Sequence, residues 1–264
     1  MLSRIVLGLS YSGAQFHGWQ AQREGNTVQQ TLEAALSKIA DHEVRVICAG
    51  RTDTGVHATR QIVHFDTPAI RPEKAWVLGT NAHLADSVAV SWSRIVDETF
   101  SARFSATARR YLYCIHNTTV RSAIGAGLFT REHRPLDTAK MHQAAQSLLG
   151  EHDFSAYRAS KCQSKTPMRN IHEITVSRRG EMVLVNIKAN AFLHHMVRNI
   201  AGVLMNIGAG EQAVDWTAQL LDGRDRTVGA MTAPPHGLYL VDVVYPDTYE
   251  LPQGPKIPHF FADQ

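Results

Sequence analysis

The sequence predicts an α+β fold in two halves of comparable layout, each built on a mostly antiparallel sheet. Three observations carry this. Strand-like stretches recur from one end of the chain to the other. Helical stretches with one apolar face are set between them. Neighbouring strand candidates are hairpin-like, which favours antiparallel pairing.

The elements follow in order. "RIVLGLSY" (Arg4 to Tyr11) reads as a strand. "TVQQTLEAALSKIA" (Thr27 to Ala40) reads as a helix, with Val28, Leu32, Ala35, Leu36 and Ile39 on one face and Thr27 with Gln30 placed as a capping box. "EVRVICA" (Glu43 to Ala49) and "QIVHF" (Gln61 to Phe65) are strands on either side of a turn. "PEKAWVLGTNA" is helical, and "SVAVSWSRIV" (Ser87 to Val96) alternates with period two. The second half opens with the strand "ARRYLYCIHN". "DTAKMHQAAQSLLG" follows as a helix, with Asp137 as N-cap and Gly150 as C-cap. "IHEITVSRR" and "MVLVNIKA" form a hairpin around Gly180. "FLHHMVRNIAGVLMNIG" is an apolar helix ending at Gly208, and "GLYLVDVVY" closes the sheet. The expected division is residues 1–106, 107–245 and a tail 246–264, where Pro252, Pro255 and Pro258 read as an arm along the surface. The two halves share a layout without a visible sequence repeat.

Bulk composition narrows the function classes. A chain of 264 residues with 44% hydrophobic and 19% charged residues is a globular protein with a full core. The net charge of +3 leaves a nucleic-acid partner undecided. Cys48, Cys114 and Cys162 are far apart and form no C-x-x-C pair, which speaks against zinc ribbons, zinc deaminases and a disulfide framework. With no signal-peptide pattern at the N-terminus and no apolar run near the ~18 residues of a membrane span, a cytoplasmic protein without a membrane partner is expected.

Positive charge is unevenly placed. Between Arg158 and Arg179 lie Arg158, Lys161, Lys165, Arg169, Arg178 and Arg179 against Glu173 alone. Arg103, Arg109 and Arg110 form a second group beside Phe104, Tyr111 and Tyr113. Arginines near aromatics suit phosphates and unstacked bases, while a solvated charged face is the plainer reading of each cluster.

The stretch "CAGRTDTGVHATRQ" (Cys48 to Gln61) is the densest in chemistry. Gly50 and Gly55 permit tight backbone geometry around Asp53. Arg51 and Asp53, two apart, face the same way in an extended stretch. Asp53 can cap a turn, or serve as a nucleophile or base held ionised by arginine. His57 can pair with it in acid–base work or hydrogen-bond the loop. One Asp and one His do not make a metal site, and His194 and His195 also lack partners at ligand spacing, so no metal is expected.

"GRTDTGVHA" closely resembles the active-site motif of the tRNA pseudouridine synthases of the TruA type, which reads G-R-T-D-x-G-V-H-A. The resemblance extends through "GWQ" (Gly18 to Gln20), "TVQ" (Thr27 to Gln29), "FSARFSATARRYLY" (Phe100 to Tyr113), "NAFLHHMVRNIAG" (Asn190 to Gly202) and "GLYLVDVVYP". Thr54 departs from the usual Ala or Ser, and Ser12 stands where "Y-D-G" is usual. The resemblance implies two domains whose sheets merge around a central cleft holding Asp53. It implies isomerisation of uridine to pseudouridine at positions 38, 39 and 40 of the tRNA anticodon stem-loop, by a homodimer and without a cofactor. Asp53 is then the nucleophile, Arg198 its basic partner, and Tyr111 a catalytic residue whose ring stacks on the uracil and whose hydroxyl can take part in moving the C5 proton. Arg51 helps hold the flipped-out site. Phe100, Ser101, Ala102, Arg103 and Phe104, with Lys161, Cys162, Gln163, Ser164 and Lys165, line the tRNA. The rivals are another base-flipping RNA enzyme such as a glycosylase, and a non-catalytic RNA-binding module.

Overall fold

Apolar residues on both faces of the first strand make it the centre of a sheet. The computed structural model describes residues 2–261. In β1 (Ser3–Tyr11), Ile5, Val6, Leu7 and Leu9 are all buried. It pairs antiparallel with β3 (His57–Thr67) on one side and β4 (Val88–Val96) on the other. Helix α1 (Val28–Ala40) buries Val28, Leu32, Ala35 and Leu36, the face its periodicity predicts. Its cap is Thr27, whose hydroxyl accepts from the Gln30 N–H and donates to the Gln30 side chain at 2.6 Å.

The strand expected over Glu43 to Ala49 is reduced to β2 (Ile47–Cys48), antiparallel to β3. The reason lies in α1. The Val44 N–H donates to the Ser37 hydroxyl at 3.0 Å and the Val46 N–H to the Glu33 carboxylate at 2.9 Å. Helix side chains therefore take donors that a strand ladder would use. The helical stretch before β4 is also altered: its middle, Ala75–Gly79, is a π-helix around the buried Trp76.

The second unit begins with β5 (Ala108–Asn117), beside which β6 (Thr130–Glu132) runs parallel. Helix α2 (Thr138–Ala145) starts at Asp137, whose carboxylate accepts from the Ala139 and Lys140 N–H groups. Gly150 does not cap it; it opens β7 (Gly150–Asp153) instead. The helix stops earlier because the Ser147 hydroxyl takes the Ala144 carbonyl at 2.9 Å and the Gln146 amide takes that of His142 at 3.0 Å. Then come β8 (Met168–Arg179) and β9 (Met182–Ala189), the expected hairpin. The strand order is β5-β9-β8-β7, antiparallel throughout.

Helix α3 (Met196–Gly208) starts four residues later than its apolar run. His194 is held by its backbone, with its N–H on the Cys162 sulfur at 3.4 Å and its carbonyl on the Ala159 N–H at 3.0 Å. His195 follows in the left-handed region at φ 61°, so a helix cannot pass through. Helix α4 (Trp216–Gly223) completes this unit.

The last strand is β10 (Leu238–Val244). Tyr239 and Leu240 pair parallel with His57 and Ala58 of β3. The two compact units are accordingly residues 1–107 together with Tyr239 onward, and Ala108–Leu238. The chain leaves the first unit after Thr107 and returns to it at Tyr239. The arm beyond 246 continues along β10, with the Lys256 N–H on the Val241 carbonyl at 2.9 Å and Leu251 and Phe261 buried. Met1 and residues 262–264 lie outside the described residues.

Candidate active site

The Asp53 loop is the connection between β2 and β3, and its backbone is fixed from below at nearly every residue. The Ala49 N–H donates to the Ile62 carbonyl at 2.8 Å, continuing the β2–β3 ladder. Gln61, fully buried, donates its amide to the Gly50 carbonyl at 2.6 Å. The Thr52 side chain turns inward to the Tyr11 hydroxyl at 2.8 Å, and the Thr52 carbonyl accepts from the Trp19 N–H at 2.9 Å. Alternation then places Arg51 exposed and Asp53 half-exposed, on the side away from Thr52.

A reverse turn follows. The Val56 N–H donates to the Asp53 carbonyl at 3.1 Å, with Gly55 at φ 78° in the third position, where a type II turn requires positive φ. Gly18 is the other glycine the loop needs: a Cβ there would lie 2.9 Å from the Thr52 carbonyl oxygen and 3.1 Å from the Thr54 nitrogen. The stretches "GWQ" and "TVQ", which the sequence marks without a role, thus form the floor of the loop. Trp19 is buried, and its carbonyl accepts from the Gln29 N–H at 3.0 Å.

His57 takes the second of its two sequence readings. Its Nδ1 accepts from the Gly13 N–H at 3.0 Å, so the ring carries its proton on Nε2. The ring is 1% exposed and stacks on Tyr239, centroids 4.6 Å apart and planes 17° from parallel. It ties the foot of the loop to β10 and acts as scaffold.

In the second unit, Tyr111 lies on β5 opposite Ile187 of β9, with its ring edge-on to Phe192 at 5.0 Å. Only 8% of it is exposed. Arg198 is in the first turn of α3, and its Nε donates to the Ala233 carbonyl at 2.8 Å. Tyr113, two residues along from Tyr111, is fully buried; its hydroxyl bonds Thr130 at 2.6 Å and the Pro234 carbonyl at 2.8 Å. Burial raises its pKa well above the usual phenol range, despite the Thr130 hydrogen bond and the charge of Arg198.

The two basic loops divide into anchors and presented groups. Phe100 and Ala102, expected to line the tRNA, are completely buried. Phe100 packs on Tyr245 and Tyr249, and the Ala102 carbonyl accepts from the Tyr245 hydroxyl at 2.6 Å. They hold up a turn in which the Ser105 N–H bonds the Ser101 carbonyl at 2.9 Å. Arg103 and Phe104 stand out from that turn, the guanidinium 5.3 Å from the ring centroid and Phe104 80% exposed.

In the other loop, Arg158 is turned inward onto the Cys162 and Ser164 carbonyls at 2.8 and 2.7 Å. Arg169 is buried on the Thr166 carbonyl and the Ser164 hydroxyl. Lys161, Gln163 and Lys165 remain exposed around them. Burial would raise the Cys162 thiol pKa. The His194 and Ser164 N–H groups and Arg158 outweigh it, leaving the thiol below its ordinary value.

An α+β chain with an aspartate on a braced loop and two basic loops built on buried anchors fits an enzyme that modifies bases in RNA. The model of the family described as tRNA pseudouridine synthase matches residues 9–105 and 144–246. The chain belongs to the tRNA pseudouridine synthase family, and is an isomerase of uridine in tRNA. It is 54% identical over 260 residues to tRNA pseudouridine synthase A of Haemophilus influenzae (strain 86-028NP), covering 98% of this chain and 97% of that one. The protein of the same name from Shewanella sp. (strain ANA-3) is 56% identical, covering 98% and 100%. That from Actinobacillus succinogenes is 52% identical, covering 99% of each. Among the described residues, no helix is long and apolar enough to cross a membrane.

Proposed function

We propose that the chain converts uridine to pseudouridine at positions 38, 39 and 40 of the tRNA anticodon stem-loop, with Asp53 as the nucleophile. The observation that carries this is the build of the loop. Thr52 and Val56 are tied down on either side, and between them the loop lifts one carboxylate toward solvent. The reaction breaks the N1–C1′ bond of the nucleotide and forms a C5–C1′ bond. C5 gives up a proton and N1 gains one, so no atoms are added and no electrons are exchanged with a partner. A carboxylate can serve by attack at C1′, by addition at C6, or by assisting a glycal route. Each requires it ionised.

In this reading Arg198 supplies the cation that keeps Asp53 ionised, and Tyr111 stacks on the uracil. Arg51 occupies or steadies the site the base has left, because extrusion from the stem costs a few kcal/mol. Arg103, Phe104, Lys161 and Lys165 meet the backbone and unstacked bases. Reading several adjacent positions requires recognition by shape, which backbone contacts supply. The working form is a homodimer in the cytoplasm, where one tRNA reaches both subunits.

Asp53→Asn tests the assignment. The variant should bind tRNA as the parent does and form no pseudouridine, while the parent product keeps the mass of the starting nucleoside. Pseudouridine formation by the pure variant, with deamidation excluded by mass spectrometry, would sink the nucleophile role. Release of free uracil by the parent would make it a glycosylase.

A further inference from the structure

We infer that residues 230–235 form a strap that sets the guanidinium of Arg198, with Thr232 and Tyr113 as its positioning residues. This rests on the reading above that Arg198 is the basic partner in catalysis.

Arg198 and Ala233 are joined twice. The Arg198 Nε donates to the Ala233 carbonyl at 2.8 Å, and the Ala233 N–H donates to the Arg198 carbonyl at 3.2 Å. A guanidinium is planar. Once its Nε–H is committed, rotation about the Cδ–Nε bond is fixed, and with it the direction of the Nη edge. The setting of Arg198 is therefore only as sharp as the placement of the Ala233 carbonyl.

That carbonyl lies outside regular secondary structure, and it is pinned from both sides. On one side the Thr232 hydroxyl donates to the Asn199 Oδ1 at 2.7 Å, and Arg226 donates to the same oxygen at 3.1 Å. Asn199 is 2% exposed, and its amide nitrogen is held by the Tyr157 carbonyl at 2.8 Å. On the other side the Pro234 carbonyl accepts from the Tyr113 hydroxyl. Gly202 brings the strap against α3: a Cβ there would lie 2.3 Å from the Met231 carbonyl oxygen. The anchors are significant because of their neighbours. Asn199 follows Arg198 on α3, and Tyr113 lies two residues from Tyr111 on β5, the same side of the strand. The strap thus couples the element carrying the base-stacking ring to the element carrying the cation.

Two variants test this. Thr232→Val removes the hydroxyl at constant shape, and Tyr113→Phe removes the other tie. Each is read by kcat and KM on tRNA and by the hydrogen-exchange rate of the Arg198 Nε–H in the free protein, assigned by its loss in Arg198→Lys. Each variant should lower kcat about tenfold, the scale of a misaligned reacting group. KM should stay within about twofold, and Nε–H exchange should quicken about tenfold as the Ala233 bond opens more often. Thr232→Ser keeps the hydroxyl and should restore both readouts. Unchanged exchange in the two variants, with kcat reduced or not, overturns the strap. The catalytic reading fails separately, if Arg198→Met turns over like the parent. In that case the exchange result still decides whether the strap sets the side chain.

Discussion

A carboxylate nucleophile works only in its ionised form, so its pH dependence should respond to the cation assigned to it. Arg198→Met should lower turnover at saturating tRNA by more than about tenfold, equivalent to ~1.4 kcal/mol of barrier. Activity should then recover as pH rises, because a carboxyl deprived of its cation takes up a proton more readily. Lysine at 198 should restore part of the rate, supplying charge without the planar fork. A rate within about twofold of the parent would leave Arg198 as packing, since that is below ~0.4 kcal/mol. A second residue gives a pH effect on stability. Burial, and then the charge of Arg4, lower the pKa of His64 to about 4 from its usual 6.5. Its Nδ1 accepts from the Ala102 N–H at 3.1 Å, a bond only the unprotonated nitrogen can make. The unfolded chain therefore binds the extra proton first. His64 contributes fully above pH 6.5, and the contribution is lost as pH falls from 6.5 toward 4. Denaturant titrations across that window should show a shallower acid loss in His64→Asn than in the parent. Parallel curves would remove His64 from the account.

At the scale of elements, the basic loops show why charge counts overstate a binding surface. Arg158 and Arg169 fold the 158–169 segment from within, and Arg178 bonds Asn117 and the Leu136 carbonyl. The exposed Lys161 and Lys165 are the groups of this segment proposed to meet phosphates. Lys161→Ala with Lys165→Ala should weaken tRNA binding and flatten the dependence of log affinity on log salt by about one unit per lost contact. A slope identical to the parent would place the tRNA on another face. The sequence made legible those elements whose own pattern decides them. β1 and β5 follow from short apolar runs, α1 from a helical face, and the β8–β9 hairpin from Gly180 at a turn. Several failures share a cause, a partner elsewhere in the chain. Glu33 and Ser37 take the N–H groups of residues 44 and 46, and the Cys162 loop holds His194 out of α3. In the site, Asp53 and its turn could be read from local glycines. The burial of Phe100 and Ala102 could not, because Tyr245 and Tyr249, which cover them, lie far along the chain.

At the scale of the molecule, the seam between β3 and β10 completes the unit that bears Asp53. Within it, Arg60 on β3 and Asp242 on β10 form a buried ion pair, Nε to Oδ1 at 3.0 Å, with side chains 10% and 7% exposed. Burial lowers the Arg60 pKa, and Asp242 opposes that shift. Asp242→Ala would leave a guanidinium buried without its counter-charge. It should cost about 3–5 kcal/mol of stability, measured by chemical denaturation. Replacing both residues by leucine should recover most of that loss, since the seam then carries no charge to compensate. A single Asp242→Ala variant as stable as the parent would mean that water reaches Arg60.

Because β10 comes from the far end of the chain, the order of synthesis matters. A ribosome delivers residues 1–107 first, then the whole of 108–238, and only then the strand that pairs with His57 and Ala58. At ordinary elongation speeds the interval is on the order of ten seconds. Through that time the half of β3 next to the aspartate loop has no partner on its β10 side. The later-made unit can finish folding before the earlier one, so the loop proposed to do the chemistry is among the last parts of the nascent protein to take shape.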